Sequence, residues 1–264
     1  MTGVEWPALI GALREVERLG QADSGVLSFG EAPVGGIFVE QGRVCWVAAR
    51  GLQRRLRDLL RAHSRMSTEQ LEGMYERCRV EGRLLGETLV DEGIIAPGEL
   101  QRALRRHSAE CLLDLCRSPR ATAWSSHGGR GYAPRFTFRP VDLLFDSVAI
   151  VYPELQAQAR QELSDFEAKG RRAVAFVRDE SADSLLPLAE TGGYGVEPML
   201  GLSRGLASLP HACLELGATP SFTLSTTEEG ETVLLWWRGP LLFAVSCPDR
   251  QSLAELTAHH LALQ

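Results

Sequence analysis

A serine framed by glycines, Gly201-Leu202-Ser203-Arg204-Gly205, is the pattern with the most obvious chemistry in this sequence, and Asp249 and His259 follow it in the order acid then histidine. In a hydrolase nucleophile elbow such a serine stands on a sharp corner between an apolar strand and a helix, where its hydroxyl meets a base. Here Met199, Leu202, Leu206, Leu209, Cys213 and Leu216 recur every three or four residues around it. That spacing puts Ser203 inside a helix and not at a corner, so a serine esterase is the least favoured reading. On that helix Glu197, Gly201, Arg204, Ser208 and His211 fall on the face opposite the leucines. Gly201, Gly205 and Ser208 are small enough to let a second backbone approach. Each glycine in a helix interior costs about 1 kcal/mol, so close packing is a physical reason to keep them.

Other chemistries are thinly represented. The sole lysine is Lys169, so no Gly-Lys-Ser/Thr phosphate loop exists and the chain is not itself a P-loop GTPase. His259 and His260 are adjacent and point about 100° apart on a helix. No metal or cofactor is expected. The six cysteines, Cys45, Cys78, Cys111, Cys116, Cys213 and Cys247, include no C-x-x-C pair and fall mostly in apolar patterns. They predict reduced, buried thiols in a cytoplasmic protein. No apolar run approaches the ~18 residues of a membrane span, and Met1–Trp6 lacks the basic start of a signal peptide.

Charge is distributed unevenly. From Glu154 onward there are 8 basic and 15 acidic residues, a net of −7; the first 153 residues carry 20 and 19, a net of +1. The acidic half excludes a nucleic-acid role there. It would also repel a nucleotide's phosphates rather than attract them. An arginine finger needs an exposed, positioned loop, and Arg178, Arg238 and Arg250 beside strand ends are the positions where one would sit. Arg50, Arg54, Arg57, Arg61 and Arg65 form a stripe that reads as a solvated helix face.

The elements that position these residues follow from periodicity. In the first half, Trp6–Leu19 is an amphipathic helix, and 25–29 and 34–40 are strands. Glu40-Gln41-Gly42 turns the chain into a hairpin with 43–48, and a helix follows over 51–63. Thr68 is the expected N-cap of a helix to about Arg79. Leu85–Val90 is a short helix stopped by Gly93, and Ile94-Ile95 precede a longer helix from Pro97 to about Leu115. Residues 121–124 and 135–138 are expected to pair across the Gly128–Gly131 loop, and Pro140–Tyr152 is an apolar helix joining two domains, 1–152 and 153–264.

The second half reads helix (153–166), strand (172–178), strand (184–189), the long helix, strands at 221–227, 231–237 and 241–246, and a closing helix over 251–263. Pro187 marks its strand as an edge. This order describes one five-stranded antiparallel sheet with flanking helices, an α+β layout. Over roughly 110 residues, the size of one domain, it resembles the Roadblock, or dynein-light-chain-like, family, down to the ending Phe243-Ala-Val-Ser-Cys-Pro-Asp249-Arg250. The resemblance implies a non-catalytic binding module that dimerises and sits on Ras-like small GTPases or larger scaffolds. It implies a partner surface on the second helix, with Glu197, Arg204 and Ser208 as the contact. It implies a dimer interface built from Gly201 and Gly205 with Phe222 and Leu224 of the strand that Roadblock dimers pair edge to edge.

In the first half, the run from Gly36 to Val44 with Ala49-Arg50-Gly51-Leu52 and its helix resembles the PATAN family, the N-terminal domain of a class of bacterial response regulators. The resemblance implies an α/β N-terminal domain with a helical insert, here about 66–116. The segment Leu85-Gly86-Glu-Thr-Leu89-Val90-Asp-Glu-Gly93-Ile94 is similar to the N-terminal domain of type II secretion and pilus ATPases, some of which bind cyclic di-GMP. That nucleotide motif has Arg-Leu-Gly at its start and Gln at its end, in two copies; this chain has Leu84-Leu85-Gly86, His107 and one copy, with Arg83 one residue out of register. Packing of Leu85, Leu89, Ile95, Leu100 and Leu104 is the favoured use of the segment, and a cyclic di-GMP-responsive adaptor is the alternative. The expected protein is thus a cytoplasmic, non-enzymatic bacterial regulator whose partners are a Ras-like GTPase, a second copy, and a response regulator or polarity scaffold.

Overall fold

The computed structural model describes residues 4–21, 23–32, 34–52, 56–64, 66–117, 122–128, 131–179, 184–192, 223–226 and 232–247, with 251 and 254. Contacts divide the chain into two units, Met1–Ser147 and Val148–Gln264. Both are mixed α+β, and both sheets are antiparallel throughout.

The first unit opens with α1 (Trp6–Gly20), whose Trp6, Leu9, Leu13 and Val16 are buried. Next come β1 (Gly25–Phe29), β2 (Gly35–Glu40) and β3 (Arg43–Ala49). Gln41 and Gly42 both have positive φ, 51° and 73°, the two-residue turn whose twist suits a hairpin. Helices α2 (Leu56–His63), α3 (Thr68–Glu81), α4 (Leu85–Asp91) and α5 (Pro97–Leu115) follow, then β4 (Thr122–Ser126). The sheet order is β3-β2-β1-β4. The N-terminal sheet is therefore not the parallel sheet of an α/β domain, because every neighbour pairs antiparallel.

Two local expectations are corrected. Residues 122–126 pair with β1, not with 135–138. The latter stretch instead contains a 3-10 turn at Pro134–Phe136, started by a proline that suits its first position, and a single bridge from Phe138 to Val44. The N-cap of α3 is Ser67, whose hydroxyl accepts from the Gln70 N–H while the Gln70 side chain accepts from the Ser67 N–H, a capping box that places Thr68 at the first helical turn. Within the stretch 66–116, α5 packs against β3, and a Cβ on Gly35 of β2 would lie 2.7 Å from Leu115 Cδ2.

Helix α6 (Pro140–Val151) carries the division between the units. In the second unit α7 (Pro153–Ala168) precedes β5 (Ala173–Asp179) and β6 (Ser184–Thr191), and β7 (Thr223–Thr226), β8 (Thr232–Arg238) and β9 (Leu241–Cys247) complete the sheet. Its order is β6-β5-β9-β8-β7, five strands. Helix α7 packs on β5 and β6, and its Phe166 ring lies 5.9 Å from Trp236 of β8. All seven residues of β9 are buried, which suits the central strand. The helices expected over 199–209 and, but for Gln251 and Ala254, over 251–263 lie outside the described residues.

Candidate functional site

The helical layer of the first unit is built around one apolar cluster. Leu60 of α2, Leu71, Met74 and Cys78 of α3, Leu89 of α4, Ile95, Leu100 of α5 and Phe136 are buried together, with Leu85 and Leu104 packed at its margin. Gly93 adopts φ 69° after α4, a left-handed position that favours glycine, and it delivers Ile94 and Ile95 back over the helix. The Ile94 and Ile95 N–H groups both donate to Leu89 O, at 2.9 and 3.2 Å. All five residues of the Leu85–Leu104 pattern thus serve packing.

Arg83 and His107 bracket the segment that is similar to the dinucleotide motif. Arg83 lies 3.8 Å from both Glu81 and Asp91 on the surface. His107 is 5% exposed, its ring 5.0 Å from Trp46 of β3 and its Nε2 3.5 Å from Cys111 Sγ. A cysteine beside a histidine is the raw material of a nucleophile. Burial, however, pushes the Cys111 thiol up to about 12, with Asp114 and Glu110 adding to the rise. The neutral thiol is inert, so this pair belongs to the α5–β3 core. Cys45 and Cys116 are likewise pushed up to about 12, mainly by burial. Among the described residues no cysteine forms a disulfide, and no three acidic, His or Cys side chains converge on a common point.

Three polar anchors escaped sequence reasoning. Glu40, at the end of β2, is 9% exposed and accepts from the Gly131 and Tyr132 N–H groups, at 3.2 and 3.3 Å. Glu87 accepts from Ala133 N–H at 3.1 Å. Arg105 of α5 makes a bidentate pair with Asp146 of α6 and reaches the Asp142 carbonyl at 3.3 Å. Each joins positions 37 to 92 residues apart, and no local pattern announces such pairs.

In the second unit, β7 stands at one end of the sheet with β8 as its neighbour, and Leu224 is in register with Leu234. Glu197, Gly201, Arg204, Gly205, Ser208 and Phe222 lie outside the described residues, as do Ser203, Arg250, Asp249 and His259. Of the other loop arginines, Arg238 is paired with Glu162 of α7 at 3.0 Å, and the Arg178 N–H donates to Pro240 O at 3.5 Å. The guanidinium of Arg238 is therefore engaged by its own fold. No described helix is long and apolar enough to cross a membrane. The chain matches no protein-family model, no curated protein and no solved structure.

Proposed function

We propose that this chain is a non-catalytic regulatory or scaffold protein of bacterial signalling or cell polarity. Its second unit is a Roadblock-type module that dimerises and grips a Ras-like small GTPase, and its first unit is PATAN-like. The observation that carries the reading is the second sheet. Five antiparallel strands in the order β6-β5-β9-β8-β7 follow α7, in agreement with the element order on which the resemblance rests.

Two further observations support it. β7, the strand proposed to pair with a second copy through Phe222 and Leu224, has β8 as its one strand neighbour among the described residues, and an unpaired edge is a ready template for another strand. The net charge of −7 from Glu154 onward and the Arg238–Glu162 pair disfavour a guanidinium presented to phosphate. A regulator of this kind acts by binding the GTPase switch regions and shifting their population, with Glu197, Arg204 and Ser208 as the contact. Dimerisation is tested by light scattering of the full chain. Gly205→Leu lowers the mass while the circular dichroism spectrum stays that of the parent; an unchanged mass would count against the helix-plus-strand interface.

A further inference from the structure

The described sheet edges differ in how they are closed. At β3, Val44 and Phe138 exchange both backbone hydrogen bonds, each 2.8 Å, and β2–β3 carries a bulge at Phe38/Val39. At β6, Pro187 lies within the edge strand and the register shifts at Ala175/Phe176. Proline and bulges are devices that blunt an edge. β4 has neither. Its sequence, Thr122-Ala-Trp-Ser-Ser126, holds no charge and no proline, and all of it but the half-buried Trp124 is exposed. Among the described residues β1 is its one strand neighbour.

The register shows which backbone groups point away from β1. The His127 N–H donates to Ser24 O at 3.0 Å, which makes Ser24 and His127 a hydrogen-bonded pair. Alternation then turns the amides of Ala123 and Ser125 toward β1 and those of Thr122, Trp124 and Ser126 outward. Three donors and three acceptors stand in a row. Trp124 lies over Gly25, where a Cβ would come within 2.6 Å of its Cε2, so glycine there is what lets the indole settle on the sheet.

We propose that β4 pairs antiparallel with β4 of a second copy about a two-fold axis at Trp124, joining two four-stranded sheets into one of eight. The segment is suited to itself. Centring on Trp124 sets Thr122 against the copy's Ser126 and Ala123 against its Ser125, all small or polar, while the two outward-facing Trp124 amides and carbonyls meet each other. A charged edge would repel its own copy, and this one carries no charge to do so. The two Trp124 residues stand directly opposite each other in this register, with each indole resting on Gly25 of its own β1. The interface belongs to the first unit and does not depend on the Roadblock reading of the second.

The test is hydrogen exchange on the full-length chain across a concentration series. The outward amides of Thr122, Trp124 and Ser126 face no strand among the described residues, so protection of these amides that rises with concentration reports this pairing and not association through the second unit. Protection that rises with concentration is expected. Ala123→Lys with Ser125→Lys sets like charges opposite each other in the pair and abolishes it, whereas Ala123→Lys with Ser125→Glu restores it. Ser126→Pro removes one outward donor from each copy without touching the β1 ladder, and it also abolishes the protection. Outward amides that exchange at the unprotected rate at every concentration would overturn the proposal, as would equal protection in the Lys/Lys and Lys/Glu variants.

Discussion

The buried thiols set the first expectation at the residue scale. Cys45, Cys111 and Cys116 have thiols pushed from 9.0 up to about 12 by burial. Their folded pKa values exceed the unfolded ones, so their contribution to stability is complete below about pH 9. It is lost as the pH rises toward about 12, because the unfolded chain sheds its thiol protons first. Two outcomes follow. A thiol reagent at pH 8 leaves these three cysteines unlabelled until denaturant is added. Denaturation midpoints fall with pH above about 9, less steeply once the three are replaced by alanine. Labelling of Cys111 in the folded chain would mean that the His107–Cys111 pair is open to solvent and would revive a nucleophilic role. Sequence alone supplied the burial of these thiols, since they sit in apolar patterns. It did not supply the ring of Trp46 over His107, which depends on α5 crossing β3.

At the scale of elements, the helical layer is where local pattern and packing agree best. The spacing of Leu85, Leu89, Ile95, Leu100 and Leu104, the glycine stop and the proline start give α4 and α5 nearly as observed, because each signal acts within a few residues. Leu100 is fully buried at the centre of that cluster. Leu100→Ala is expected to lower the unfolding free energy by about 2–5 kcal/mol, read from urea denaturation, whereas Leu104→Ala at the margin costs clearly less. Equal losses would mean that the cluster is not organised around Leu100. The stretch after α5 was misread for the opposite reason. The strand signal of 122–126 was real, but its partner is β1, nearly a hundred residues earlier, and nothing local distinguishes that pairing from a hairpin with 135–138. Pro134 and the Glu40 and Glu87 carboxylates that hold 131–133 decide the path instead. Charge-assisted anchors of this kind are fixed by tertiary placement and carry no periodic trace.

For the whole molecule, the chain folds as two units, each with its own antiparallel sheet. The succession of strands along the second unit was legible because each strand is bounded by its own turn and the apolar runs are short; their order within the sheet was not. The partner surface was placed by resemblance, on a stretch expected to be helical that lies outside the described residues, so its test must be made in solution. The central claim is that the chain grips a Ras-like GTPase without lending it a catalytic arginine. The most direct measurement is calorimetric titration of the full chain into Ras-like GTPases from its own cell, each loaded with GDP or with a non-hydrolysable GTP analogue, and repeated with Arg204→Ala and Arg238→Ala. Saturable binding to one nucleotide state is expected, weakened about tenfold or more by Arg204→Ala, a loss of about 1.4 kcal/mol, and left nearly intact by Arg238→Ala. The absence of binding in both nucleotide states would contradict the account, and so would a GTP hydrolysis rate that Arg238→Ala abolishes while binding survives.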